Sequence, residues 1–177
     1  MTALDTSNVL AVDLDRTLIA GDLLYISFWS AASFNPIFYL CCIKHLLQGR
    51  AALKKYLAKK SQLDPTRLKY QDFVKDYIFR WRQQGGRAVL VTAADKSLAL
   101  RVAEHLQLFD EVHGSDGKLN LKGKVKASFL CDRFGIRQFA YIGDSYSDLA
   151  VWSVSSHAIT VNASPKLITA VENLCKK

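Results

Sequence analysis

The chain has four cysteines, Cys41, Cys42, Cys131 and Cys175, and no two of them stand in a CxxC spacing. That excludes the usual thiolate zinc ribbon, and the adjacent pair is badly placed for an ordinary bridge, so a reduced, cytosolic setting is expected. The four histidines, His45, His105, His113 and His157, lack any mutual spacing that points to a metal or an activated nucleophile. The opening MTALDTSN has neither a basic n-region nor an apolar h-region, so no secretory leader is expected. No apolar run reaches the roughly 20 residues that span a bilayer, and there is no internal repeat or low-complexity linker. Acids are scarce in one region: between Lys44 and Lys69, Asp64 stands alone against Lys44, Arg50, Lys54, Lys55, Lys59, Lys60, Arg67 and Lys69. With a formal charge of +8 and a pI of about 9.4, the chain calls for an anionic partner. These basic residues carry no nucleic-acid motif, and no nucleic acid is expected.

What is present is 177 residues of which 50% are hydrophobic, enough for one good core with an embellishment. Val9 to Asp13 reads as a short buried strand. From Asp22 to about Gln48 the pattern is helical, divided by Asn35-Pro36 into two helices, the second ended by Gly49. RAALKKYLAKK makes a third helix. Asp64-Pro65 leads to a fourth, with Phe73, Val74, Tyr77, Ile78 and Trp81 read onto one face. Strands follow over Arg87 to Thr92, around DEVHGSDG, at FAYIGD and at AITVN. Between and after them come helices over Lys96 to Leu108, Lys124 to Phe134, a short one after Asp148, and one from Pro165. The alternation predicts an α/β fold: a parallel sheet with helices on both faces. The stretch 21–84 has no strand pattern and reads as a helical insert in a core made of 1–20 and 85–177.

In open parallel sheets, binding crevices lie beyond the carboxyl ends of the strands. Three strands end there in reactive polar groups: Asp13 with Asp15, Thr92, and Asp144 with Asp148 in IGDSYSD. Several carboxylates at one sheet edge repel each other and call for a cation. Hard oxygen ligands of this kind suit Mg²⁺. NLKGKVK supplies lysines to complete the charge balance.

These residues resemble the haloacid dehalogenase-like phosphohydrolases, all four of whose motifs occur in order. Asp13, Asp15 and Thr17 match DxDxT; Thr92 matches the Ser or Thr ending a strand; Lys122, in KGKV, is favoured over Lys124 and Lys126 as the lysine; Gly143, Asp144 and Asp148 match GDxxxD. The KGKV stretch is similar to the phosphoserine phosphatase-like branch, and NLKGKVKASFLCDRFG with VTAAD is similar to phosphatase-like domains joined to UbiA-type prenyltransferases.

The resemblance implies a Mg²⁺-dependent phosphomonoester hydrolase with a Rossmannoid core and a C1-type helical cap. Asp13 would be the nucleophile that becomes an aspartyl-phosphate and Asp15 the general acid and base. Mg²⁺ would be held by Asp13, the Asp15 carbonyl and Asp144, with Asp148 in support. Thr92, the backbone N–H of Ala93 and Lys122 would bind phosphate, and Thr17 would orient the loop carrying Asp15. Arg16 stands where the family often has Gly, and its side chain is expected to point away from the metal or to meet a substrate anion. The same intermediate would serve a phosphotransferase, and the rival from another class is a non-catalytic lipid- or anion-binding module. The substrate is expected to be a small organic phosphate or a prenyl- or lipid-linked one. An apolar insert followed by cations adds the expectation of peripheral contact with the inner face of a membrane.

Overall fold

The computed structural model describes residues 6–32, 35–116 and 119–175. Phe34 of the first apolar stretch and the 117–118 part of the DEVHGSDG turn lie outside the described residues. Five strands form one sheet: β1 (Val9–Val12), β2 (Ala88–Asp95), β3 (Glu111–Ser115), β4 (Phe139–Gly143) and β5 (His157–Thr160). Their order is β3-β2-β1-β4-β5, and every pairing is parallel. β1 is therefore central. Its Val12 stands opposite Leu90 on one side and Ile142 on the other, so Asp13 falls level with Val91 and Gly143.

Side chains alternate across the strands and bury on both faces. Leu10, Val12, Ala88, Leu90, Ala140 and Ile142 face one layer, packed with α5 (Lys96–Leu106) through Leu98, Ala99 and Val102. Ala11, Val89, Val91, Phe139 and Tyr141 face the other, covered by α6 (Lys124–Phe134), α7 (Leu149–Trp152) and α8 (Pro165–Cys175). The expected two-sided α/β sheet is what forms.

Between β1 and β2 run α1 (Leu23–Ala31), α2 (Pro36–Leu47), α3 (Arg50–Lys60) and α4 (Asp72–Gln83). Asn35 caps α2 by accepting the Ile37 N–H at 3.0 Å, with Pro36 at the first helical position. Gly49 ends the second helix as expected: it follows the last residues of α2 with φ 116°, its N–H donating to the Leu46 carbonyl at 2.9 Å, and it also precedes α3. The first three helices bury a small cluster of their own around Phe38, Cys42 and Leu57. The core on the sheet takes Leu23 of α1, Ala58 of α3 and, from α4, Val74, Ile78 and Trp81. α4 thus divides into an arc buried against the sheet and an exposed one. Phe73 departs from the expected face and is 53% exposed: at about 100° per residue it points well away from the narrow arc of the three buried residues.

That division sets the cost of substitution. Ile78→Ala is expected to lower the unfolding free energy by about 2 to 4 kcal/mol, read from urea denaturation. Phe73→Ser, on the exposed arc of the same helix, is expected to change it by no more than about 0.5 kcal/mol.

Candidate active site

At the carboxyl ends of β1, β2 and β4 lies a cavity of about 180 Å³. Asp13, Asp15, Asp144 and Asp148 reach it from the sheet, Lys126 from α6, and Ser27, Arg50 and Lys54 from the insert. Asp13 follows the last residue of the central strand, and its backbone N–H continues the ladder to the Ile142 carbonyl at 3.0 Å. This pairing leaves the side chain at the edge, 8% exposed.

One oxygen of Asp13 accepts Lys126 Nζ at 2.8 Å. Lys126 also donates to the Tyr141 hydroxyl at 2.8 Å, and Tyr141 donates to Asp148 Oδ1 at 2.8 Å. The second Asp148 oxygen accepts both the N–H and the hydroxyl of Ser145. A continuous chain of charge and hydrogen bonds therefore ties β1, α6, β4 and the loop after β4 together. Burial holds the Tyr141 phenol far above its ordinary range, aided by Asp13 and Asp148, so the hydroxyl stays a donor. Gly143 is what lets Asp148 sit there: a Cβ at this position would come within 3.0 Å of Asp148 Cγ and 2.8 Å of Tyr141 Cε1.

The lysine beside Asp13 is thus Lys126, which corrects the expectation that Lys122 takes this part. Lys126 lies in the first turn of α6, pointing inward at 2% exposure, whereas Lys122 precedes the helix and lines the cavity with an exposed side chain. Three lysines alternate in KGKVK, and the choice among them is made by where the helix begins.

Asp15 accepts the Leu23 N–H at 2.7 Å, which links the loop after β1 to the first residue of α1. Burial, and then the charge of Asp13, push its carboxyl up to about 7. Arg16 adopts φ 59°, a left-handed conformation that glycine adopts without cost. Its Nε lies 3.2 Å from Asp144 Oδ2, so it points toward the acid cluster and not away from it. With Asp144 buried among like charges, the nearest cation is drawn in. Even so, burial holds the Asp144 carboxyl up to about 6, Arg16 opposing and Asp13 and Asp148 adding to the shift.

Thr92 is fully buried and its Oγ1 accepts the Ala94 N–H at 3.0 Å; Ala93 and Ala94 line the cavity beside it, while Thr92 does not. β2 runs on past Thr92 to Asp95, with a register shift against β3 between Val91 and Asp95. Thr17 is also fully buried, and its hydroxyl has no hydrogen-bond partner among the described residues, so it holds its loop by packing alone.

Several residues in or behind the cavity wall were not singled out by sequence. Tyr141 reads as one more buried strand residue. Lys54, one cation in a basic stretch, reaches across from α3 to donate to the Ala93 carbonyl and, at 3.2 Å, to Asn120 Oδ1. Burial pulls its ammonium below the usual lysine range. Ser27, buried in α1, presents to the cavity a hydroxyl with no partner among the described residues.

Asp13, Asp144 and Asp148 bring carboxylate oxygens within 4.8 Å of one another. Burial, with Asp148 nearby, raises the Asp13 carboxyl despite Lys126. Carboxylate oxygens this close repel one another, and such a hard oxygen donor set fits a small divalent cation.

No family model matches the chain. Over 152 residues, 86% of its length, it is 41% identical to the uncharacterized protein y4nM of Sinorhizobium fredii (strain NBRC 101917 / NGR234), and it spans 29% of that protein. It superposes on a HAD family hydrolase, t0658 from Salmonella enterica subsp. enterica serovar Typhi, with a TM-score of 0.67 and 13% identity, covering 94% of this chain and 66% of that one. On a phosphoserine phosphatase solved as a phospho-aspartyl intermediate analogue the TM-score is 0.64 at 17% identity, covering 94% and 91%.

The raised carboxyl at Asp144 has a sign that can be checked. Its folded-state affinity for the proton exceeds the unfolded one, so its favourable contribution is full below about pH 4 and is lost as pH rises through about 6. In chelator-treated protein, the melting temperature of Asp144→Asn minus that of the parent is expected to grow by a few degrees from about pH 4 to about pH 7. A difference flat with pH contradicts the assignment.

Proposed function

We propose that this chain, which has the haloacid dehalogenase-like fold, is a phosphomonoesterase working through a phosphorylated aspartate. The observation that carries this reading is the pairing of Asp13, held by Lys126, with Asp15, whose proton is exchangeable near neutrality, at the mouth of one cavity. Asp13 is positioned to attack phosphorus: the P–O bond to the leaving group breaks as the bond to the carboxylate forms. Asp15, with a carboxyl near 7, gives its proton to the departing oxygen. It then takes a proton from water, which attacks the phosphorus and frees Asp13 and inorganic phosphate. Lys126, buried and bonded to Asp13, orients that carboxylate and adds positive charge beside it.

Mg²⁺ is the cation the donor set suits, with Asp13, the Asp15 carbonyl and Asp144 as its holders and Asp148 in support. When bound, it supplies charge that offsets the repulsion between phosphoryl oxygens and carboxylates. Phosphate would rest against the backbone at Ala93, beside Thr92, with Lys122 on the rim.

The insert bears on the substrate. Ser27, Arg50 and Lys54 give the cavity a polar, cationic upper wall, which favours a small organic phosphate whose leaving group has further oxygens. A lipid-linked phosphate is the second reading, supported by the exposed apolar residues of α1 and α2.

Asp13→Asn is expected to abolish Mg²⁺-dependent phosphate release with the circular dichroism spectrum unchanged; release at the parental rate would falsify the mechanism. Lys126→Met is expected to lower kcat by about 10²- to 10³-fold, whereas Lys122→Met costs far less. Arg16→Gly removes both a left-handed non-glycine residue and the competitor for Asp144. The Mg²⁺ concentration giving half-maximal release is therefore expected to fall severalfold, and a rise would show that Arg16 assists the site instead. A phosphate-release panel of sugar, amino-acid, nucleotide and prenyl phosphates separates the two substrate readings.

A further inference from the structure

From Leu23 to Leu63 the sequence contains no aspartate or glutamate, and it contains six lysines and arginines. Within this stretch α1 and α2 turn apolar side chains outward. Tyr25, Trp29, Ile37, Leu40, Ile43 and Leu47 are each more than half exposed, Leu47 at 84%. The two helices both pack on α3 and meet each other at Phe28, whose ring lies 5.8 Å from that of Phe38 and 6.3 Å from that of Tyr39. Single exposed apolar residues are ordinary, but this many on two helices of one small cluster mark an interaction surface. Lys44 on α2 and Lys55, Lys59 and Lys60 on α3, in the same cluster of helices, are exposed.

Charge decides the occupant. A second copy of the same face would bring cations against cations with no acid among them. A neutral apolar partner would leave those cations without counter-charge. An anionic bilayer surface meets both requirements, taking apolar side chains into the head-group boundary while its phosphates face the lysines. Tyr25 and Trp29, with rings 6.0 Å apart, are of the types that settle at that boundary. The helices are too short to cross: α1 has 9 residues and α2 has 12, and no described helix is long and apolar enough to span a membrane.

We infer that the outer face of α1 and α2 docks the protein on an anionic lipid surface. The docking does not rest on the catalytic reading, since neither Asp13 nor Asp15 takes part.

The test uses the full chain and vesicles of phosphatidylcholine with or without about one third phosphatidylglycerol, sedimented at low and at high salt. The protein is expected to sediment with the anionic vesicles and not the neutral ones, and each cation lost to screening lowers partitioning roughly fivefold. Trp81 and Trp152 are 3% and 2% exposed, so a blue shift of tryptophan emission on binding reports Trp29, which is 59% exposed. The double variant Leu40→Ser/Leu47→Ser changes only exposed positions. It is expected to keep the parental melting temperature and to lose at least about tenfold in partitioning. Asp13→Asn is expected to bind as the parent does, which separates docking from turnover.

Absence of sedimentation with anionic vesicles overturns the inference, as does equal sedimentation of the double variant, which would mean adsorption by charge alone. Failure of Asp13→Asn to bind overturns it by assigning the lipid to the cavity. Concentration-dependent dimers in buffer, lost in the double variant and accompanied by no vesicle binding, overturn it in favour of a second copy.

Discussion

The structure is organised around the problem of keeping four carboxylates in one small cavity. Asp13, Asp15, Asp144 and Asp148 meet there because β1 is central and β4 is its neighbour, so their carboxyl ends coincide. Left alone, such a cluster would take up protons or force the strands apart. The chain answers with two cations of different character. Lys126 is buried and shared between Asp13 and Tyr141; Arg16 is exposed over much of its side chain and reaches only Asp144. Tyr141 then carries the link to Asp148, whose other oxygen is filled by Ser145. The carboxylate oxygens of Asp13, Asp144 and Asp148 that remain close together form a donor set that suits a small divalent cation.

How far this could be read from the sequence follows from the range over which each signal acts. Asp13, Asp15 and Asp144 stand directly after runs of buried strand residues, and a charge in that place is conspicuous without any coordinates. The sheet and both its layers follow from strands alternating with helices. Lys126 was harder: it differs from Lys122 and Lys124 only in helical phase, and phase depends on which residue starts α6. Tyr141 carried no mark, since a tyrosine inside a buried strand is unremarkable until its hydroxyl is seen between a lysine and a carboxylate. The reach of Lys54 into the cavity belongs to the folding of α3 over the sheet, a tertiary event beyond local pattern.

The insert shows two chemistries on opposite sides. Toward the sheet it presents Ser27, Arg50 and Lys54; away from it, leucine, isoleucine and aromatic rings. A helix usually hides its apolar stripe against the core. Here α4, a neighbour in sequence, does so, while α1 and α2 bury Leu23 against the sheet and a seam around Phe38 and leave Tyr25, Trp29, Ile37, Leu40, Ile43 and Leu47 outward.

The ion pair between Asp13 and Lys126 joins residues 113 positions apart. A ribosome releases the aspartate long before the lysine exists, and the central strand cannot gain its β4 neighbour until later still. During synthesis the nascent chain therefore carries Asp13 well before the lysine that pairs with it. That pair closes only after α6 has been made, and the β4 strand beside β1 follows later still.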